Sequence, residues 1–200
     1  MDFYDWFQIS FLILFYSAFL GRTIQLASRG IKPIVLGIGK KGFMAVLELS
    51  FFCGLTVWTV ELVSIALHLD FHLFPPSLYE DMFDIWLLQG LGVVLIACGF
   101  LLFVWALKSI GDSWRVGIDK SNPGRLMTGG AFSYSRNPIF VFIDLYFLGT
   151  AFIYPNPFFT VLAVLVLLGI HIQVSQEERF LLEHYGDDYK AYIERVRRYF

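Results

Sequence analysis

All fifteen lysines and arginines of this sequence fall into three groups of five, and long apolar runs separate the groups. Arg22, Arg29, Lys32, Lys40 and Lys41 follow the first run. Lys108, Arg115, Lys120, Arg125 and Arg136 follow the third, and Arg179, Lys190, Arg195, Arg197 and Arg198 follow the last. Between the second and third runs the charged side chains are all acidic: Asp70, Glu80, Asp81 and Asp84. Apolar runs of this kind suit a hydrocarbon core of about 30 Å, which takes ~20 helical residues to cross. Lipid leaves no partner for an open backbone, so the spans are expected to be helices. They are expected at 6–23, 43–69, 85–107, 138–154 and 158–174, with Pro155-Asn156-Pro157 as a tight turn between the last two. Basic residues beside spans are retained in the cytoplasm, which predicts an outer N-terminus and a cytoplasmic C-terminus. With 57% hydrophobic and 16% charged residues, the chain is too apolar for an ordinary soluble domain.

The expected fold class is therefore all-α: a polytopic membrane bundle of about five transmembrane helices with a cytoplasmic C-terminal helical segment. We read residues 1–200 as one integral membrane domain, with three spans in 1–107 and the binding half in 108–200. The acidic start, Met1-Asp2-Phe3-Tyr4-Asp5, argues against a signal peptide. Cys53 and Cys98 sit alone in apolar runs and read as buried small hydrophobes. No His pair has metal-ligand spacing with a third donor, so no metal site is indicated, and nothing points to nucleic acid.

The tail predicts a helix, a break at Gly186, and a second helix. Tyr185, Tyr189, Tyr192, Val196 and Tyr199 recur at steps of four, three, four and three, forming one stripe. Such a stripe suits an interfacial helix lying on the membrane, or a wall over a cytoplasmic pocket.

Three places carry candidate chemistry. Gly129 to Pro138 combines a glycine pair, Phe132, Tyr134, Arg136 and Asn137-Pro138, and makes poor lipid-facing helix. Glu177 and Glu178 follow the last span. Adjacent helical residues point about 100° apart, so one would face a pocket, unless Ser175 and Glu178 form a capping box instead. Trp114 and Arg115, after the third span, would anchor the interface or grip a headgroup. Glu48, Glu61 and Asp144 fall within spans, where carboxylates face protein or a water-filled cavity. Asp144 lies roughly 9 to 10 Å beyond Pro138 at 1.5 Å per residue.

The segment Gly129 to Phe140, Gly-Gly-Ala-Phe-Ser-Tyr-Ser-Arg-Asn-Pro-Ile-Phe, resembles the Gly-Pro-Tyr-x-Tyr-x-Arg-His-Pro-x-Tyr signature of the isoprenylcysteine carboxyl methyltransferase and phospholipid methyltransferase superfamily. The Glu177-Glu178 pair and Tyr185-Gly186-Asp187-Asp188-Tyr189-Lys190-Ala191-Tyr192 continue the likeness, which spans about the second half of the chain. It implies an integral membrane enzyme using S-adenosylmethionine, with a lipid or lipid-modified acceptor approaching laterally from the bilayer. A multi-pass place in a bacterial inner membrane or an endomembrane follows. Carried over, Gly130, Phe132, Tyr134, Arg136, Asn137, Pro138, Glu177 and Glu178 would line the cofactor pocket. Arg136, Glu177 and Glu178 would be catalytic, and Trp114 and Arg115 would meet the acceptor. Asn137 stands where the family has histidine and cannot accept a proton at neutral pH. Ala131 and Arg197 stand in place of prolines. A carboxylate acceptor would need no base, whereas an amine would call on a glutamate. Two other readings share the pattern: an NADPH-dependent membrane reductase of the sterol-reductase type, and a non-catalytic membrane protein keeping the fold.

Overall fold

The computed structural model describes residues 1–31, 43–111 and 125–200. Trp114 and Arg115 lie outside the described residues, as does the side chain of Glu48. Six helices are described: α1 (Phe3–Ser28), α2 (Phe43–Ala66), α3 (Trp86–Ile110), α4 (Pro138–Ile153), α5 (Pro157–Tyr185) and α6 (Asp187–Arg195). Among the described residues none forms a strand. The fold is a helical membrane bundle. The helices α1, α2, α3 and α5 have the length and apolarity to cross a membrane, while α4, at 16 residues, is shorter. Its shortness goes with burial. Val141, Phe142, Tyr146, Phe147, Thr150, Ala151 and Ile153 are all enclosed, so neighbouring helices rather than lipid surround much of α4.

Helix starts and stops follow local chemistry. Asp2 caps α1, accepting from the N–H groups of Tyr4 and Asp5 at 2.8 and 3.0 Å, and Asp5 returns the favour by accepting from Asp2 N–H at 2.9 Å. Pro138 and Pro157 occupy the first turns of α4 and α5, where a missing N–H costs nothing. In the expected turn, Asn156 caps α5 by accepting from Phe159 N–H at 3.0 Å.

Close approach of α3 and α4 holds the middle of the bundle. A Cβ on Gly92 would meet the carbonyl oxygen of Gly149 at 2.5 Å, and one on Gly149 would meet Ile96 at 2.6 Å. Glycines at both positions let the two backbones touch, the packing mode that serves where lipid supplies no hydrophobic drive. An aromatic core surrounds this contact: Phe103 stacks on Phe142 with ring centres 4.5 Å apart, and Trp58 packs on Phe147 at 4.8 Å. Cys53 and Cys98 are not in that core. Both are exposed on the outer surface, because an apolar run in a membrane protein is apolar on its lipid-facing side too.

Contacts at the helix ends show the up-and-down order. The N-terminal turn of α1 meets the segments after α2 and α4, where Asp5 accepts from the Tyr154 hydroxyl at 2.8 Å and meets His68 Nε2 at 2.9 Å. Glu61, wholly buried near the end of α2, accepts from Leu73 N–H at 2.6 Å and meets His72 Nδ1 at 3.0 Å. We refer to this as the histidine end. The ends of α1 and α3 and the start of α4 lie at the opposite, arginine-rich end.

Candidate active site

About twenty helical residues cross the hydrocarbon core, and counted from Pro157 they are used up close to Gln176. Helix α5 does not stop there. It runs unbroken to Tyr185, and the Ser175 hydroxyl donates back to the His171 carbonyl at 2.9 Å. The alternative of a capping box at Ser175 is therefore absent: with no helix start at that point, its hydroxyl makes an interior i−4 bond instead.

Because α5 continues, its buried face carries on through Ile170 and Val174 to Glu178. That carboxylate is the hub of the arginine-rich end. Arg136 donates Nε to Oε1 at 3.0 Å and a terminal nitrogen to Oε2 at 3.3 Å, forming a two-pronged pair. Arg198 donates Nε to Oε2 at 3.0 Å. Asn137 donates Nδ2 to Oε1 at 3.1 Å. Arg136 and Glu178 side chains are 9% and 8% exposed, so this is a buried pair with its lone pairs satisfied, the condition under which such burial is tolerated. Glu177, one position away, is half-buried on an adjoining face of the helix.

The same residues fasten the tail by its backbone. Arg136 donates its other terminal nitrogen to the carbonyls of Val196 at 3.1 Å and Ile193 at 3.4 Å, and its N–H to the Arg197 carbonyl at 3.0 Å. Asn137 Nδ2 and the Ser135 hydroxyl donate to the Arg198 carbonyl at 3.1 and 3.3 Å. Asn137 in the histidine position is thus an amide that donates to two acceptors at once.

The loop before α4 is set by α3. Gly130 adopts φ +62°, in the left-handed region that favours glycine, and a Cβ there would collide with the Ser109 side chain. Ser109 accepts from Ala131 N–H at 3.0 Å. A short 3-10 turn, Gly130–Ser133, follows. Phe132 and Pro138 are buried, whereas Tyr134 is 65% exposed and lies beside Trp105, ring centres 5.3 Å apart.

At Gly186, φ +55°, the helix breaks and α6 begins, as the sequence predicts. Its stripe faces inward. Tyr189, Tyr192 and Val196 are buried against Leu126 and Leu181, so this part of the stripe forms a wall of the site. The Tyr192 hydroxyl donates to the Phe132 carbonyl at 2.6 Å. Burial pushes Tyr192 up to about 12, with Glu178 adding and Arg136 opposing. Burial likewise raises Tyr189 well above the ordinary phenol range, again with Glu178 adding and Arg136 opposing. Both are neutral donors at physiological pH. The Tyr189 hydroxyl is buried without a hydrogen-bond partner among the described residues, and so is Oε1 of Gln176.

The structure thus brings Arg136, Asn137, Pro138, Phe132 and Glu178 together and leaves Tyr134 at the edge. Three contributors escaped the sequence reading. Arg198 enters by donating its guanidinium to Glu178 and Ser135 by donating its hydroxyl to the Arg198 carbonyl, contacts that only the folded tail creates. Tyr189 was marked as part of a stripe and of the tail motif, without a place in the site.

A multi-pass helical bundle with a buried carboxylate clamp at one end, between a glycine-aromatic loop and a tyrosine-rich tail, defines an integral membrane protein with a polar centre beside the bilayer. Comparison with known proteins agrees with that class. The profile of the phospholipid methyltransferase family matches residues 88–188, just over half of the chain. The chain belongs to this family, and its class is that of membrane methyltransferases. A relative from Oryza sativa subsp. japonica, named a probable protein-S-isoprenylcysteine O-methyltransferase, is 26% identical over 128 residues, covering 62% of this chain and 67% of the relative. A protein-S-isoprenylcysteine O-methyltransferase of Schizosaccharomyces pombe is 29% identical over 126 residues, covering 62% of this chain and 52% of the relative. One from Xenopus laevis is 28% identical over 123 residues, covering 60% and 43%. The match thus spans about half or less of the yeast and frog proteins.

Proposed function

We propose that the protein transfers a methyl group from S-adenosylmethionine to a lipid or lipid-modified acceptor, a carboxylate or an amine, at the cytoplasmic face of its membrane. The observation that carries this reading is the Glu178 clamp, which closes the Gly129–Pro138 loop, α5 and the tail around one buried centre. Family membership supplies the reaction class, and the names of the relatives support an acceptor bearing a lipid. The gathering of all fifteen basic residues into alternate connections supports the cytoplasmic face.

Fit to the cofactor can be judged from the polar atoms the clamp leaves over. Tyr189 hydroxyl and Gln176 Oε1, one a donor and the other an acceptor, are buried and have no partner among the described residues. The Tyr189 hydroxyl, which lies beside Glu178, suits a polar group of a bound ligand. When bound, S-adenosylmethionine supplies a methyl group on a positively charged sulfur. Tyr189, buried beside Glu178 and Arg136 with its hydroxyl unpartnered among the described residues, would hold it. Arg136 and Asn137 keep the Glu178 carboxylate fixed in orientation. Phe132, Pro138 and Tyr192, all buried, exclude water from the same place. Glu177 is retained as a further carboxylate of the site, Gly130 and Tyr134 as its loop edge, and Trp114 and Arg115 as the acceptor's grip, all on sequence grounds.

Calorimetry with S-adenosylhomocysteine on detergent-purified protein tests the proposal. Binding is expected in the wild type, with a roughly fivefold loss in Tyr189→Phe, the equivalent of one hydrogen bond of about 1 kcal/mol. Arg136→Ala is expected to abolish it. No binding by the folded wild type, or thermal stabilisation by NADPH alone, overturns the assignment.

A further inference from the structure

We infer that Asp144 of α4 receives the ammonium group of the acceptor at a seam between α4 and α5 that borders on lipid. This rests on the methyl-transfer proposal above and narrows its acceptor to an amine. Carboxylates inside membrane spans face a partner or a cavity. Among the described residues Asp144 has no partner: its Oδ1 is buried without a hydrogen bond, and no cation acts on the side chain. A protonated carboxyl would remove the charge and still leave that buried oxygen unpaired. A donor that carries positive charge satisfies both the oxygen and the charge, and an ammonium group is such a donor.

Helical spacing ties Asp144 to the Glu178 clamp. It stands seven residues after Asn137, and His171 stands seven residues before Glu178. Seven residues make almost two full turns, so each lies on the same side of its helix as its clamp residue, about 10 Å deeper. Asn137 and Glu178 meet at 3.1 Å, and α4 and α5 run in opposite directions, so Asp144 and His171 flank the same seam one level down. The tail reaches into it. The Tyr199 hydroxyl lies 3.0 Å from His171 Nδ1. Burial raises Tyr199 above the ordinary phenol range, with Asp144 and Glu178 adding and Arg198 opposing. Asp144 and the clamp therefore act on one ring. Towards lipid, His171 is exposed and so are Leu168 and Ile172 of the same helix, an apolar surface along which the chain of a lipid amine can lie.

Availability separates Asp144 from Glu178. The Glu178 oxygens already accept from Arg136, Arg198 and Asn137, whereas Oδ1 of Asp144 accepts from nothing among the described residues. The ammonium nitrogen gives one proton to Asp144. Its lone pair then forms the bond to the methyl carbon as the carbon–sulfur bond breaks, with that electron pair left on sulfur. The methylated nitrogen carries the positive charge again, and the proton on Asp144 passes to water. A carboxylate acceptor would meet Asp144 as a like charge, so the residue that favours an amine disfavours an acid.

The test uses the full chain in phosphatidylcholine nanodiscs, with hexadecylamine and hexadecanoic acid as probes and native mass spectrometry of the retained probe. The wild type is expected to retain the amine about tenfold over the acid, the scale of one charge-assisted hydrogen bond. Asp144→Asn is expected to erase that preference and Asp144→Glu to keep part of it, with S-adenosylhomocysteine still bound by both. No preference in the wild type overturns the inference, as does a preference unchanged in folded Asp144→Asn; either result leaves the methyl-transfer proposal standing, because S-adenosylhomocysteine binding is read separately. If Asp144→Asn does not fold by circular dichroism, the wild type decides alone. Hexadecylamine, and not hexadecanoic acid, is then expected to shield Asp144 from dicyclohexylcarbodiimide, read by peptide mapping. Equal labelling with the two probes overturns the inference.

Discussion

Each end of the bundle buries carboxylates, and the two ends hold them by different means. At the arginine-rich end Glu178 meets two guanidinium groups and an amide, from residues 20, 42 and 41 positions away. At the histidine end Glu61 meets an imidazole and a backbone N–H only 11 and 12 positions on. The first arrangement ties a loop, a helix and a tail to one carboxylate. The second pins the connection after α2 onto the helix it has just left. A permanently charged, forked donor can tie several segments to one carboxylate, whereas a single ring nitrogen ties one. Assembly of a centre and capping of a bundle thus use the same buried acid with different partners.

Removing each acid in turn is the sharpest way to break this comparison. Glu178→Ala strands Arg136 and Asn137 in a buried place, and a cost of about 3–5 kcal/mol is expected. The tail should detach first, seen as faster proteolysis between α5 and the C-terminus, with a lowered melting temperature. Glu61→Ala leaves only neutral or exchangeable partners unsatisfied, for which about 1–3 kcal/mol is expected. Binding of S-adenosylhomocysteine should survive that change. Equal losses of stability and binding in the two variants would erase the distinction drawn between the ends.

The smallest expected effect concerns the tail wall. Tyr192→Phe removes the bond to the Phe132 carbonyl, at about 1 kcal/mol. The same residue gives the tail an alkaline limit. Its folded value, about 12, lies above the ordinary 10, so the stability it contributes is complete below pH 10 and is lost as pH rises from 10 through 12. Phenolate absorbance and tail proteolysis, followed together across that window, should change in the wild type, and the proteolysis should flatten in Tyr192→Phe.

Much of this architecture was legible in the residues. The apolar runs place the helices, the Pro-Asn-Pro turn separates α4 from α5, and Gly186 breaks the tail helix where its left-handed backbone requires a glycine. The meeting of the loop with the α5 carboxylates followed from a hairpin that goes out and returns. The choice between Glu177 and Glu178 was not made, although Ala163, Ile170 and Val174 lead by helical steps to Glu178. The Ser175 capping box stayed open as an alternative because its residue pattern is short and a helix passing through gives the same letters. The cysteines misled because, in lipid, apolar sequence does not say which face is inside. Arg198 was invisible for a different reason: its place depends on a turn of the tail that only the folded loop creates.

The tail is gripped chiefly through its carbonyls, those of Ile193, Val196, Arg197 and Arg198, by donors that come from elsewhere. Every amino acid offers the same oxygen, so substitution along this stretch is cheap while a change in its length is not. Drift among related chains should therefore leave the spacing between Tyr192 and Arg198 constant even where the letters differ, and a single inserted residue there should do more harm than several exchanged ones.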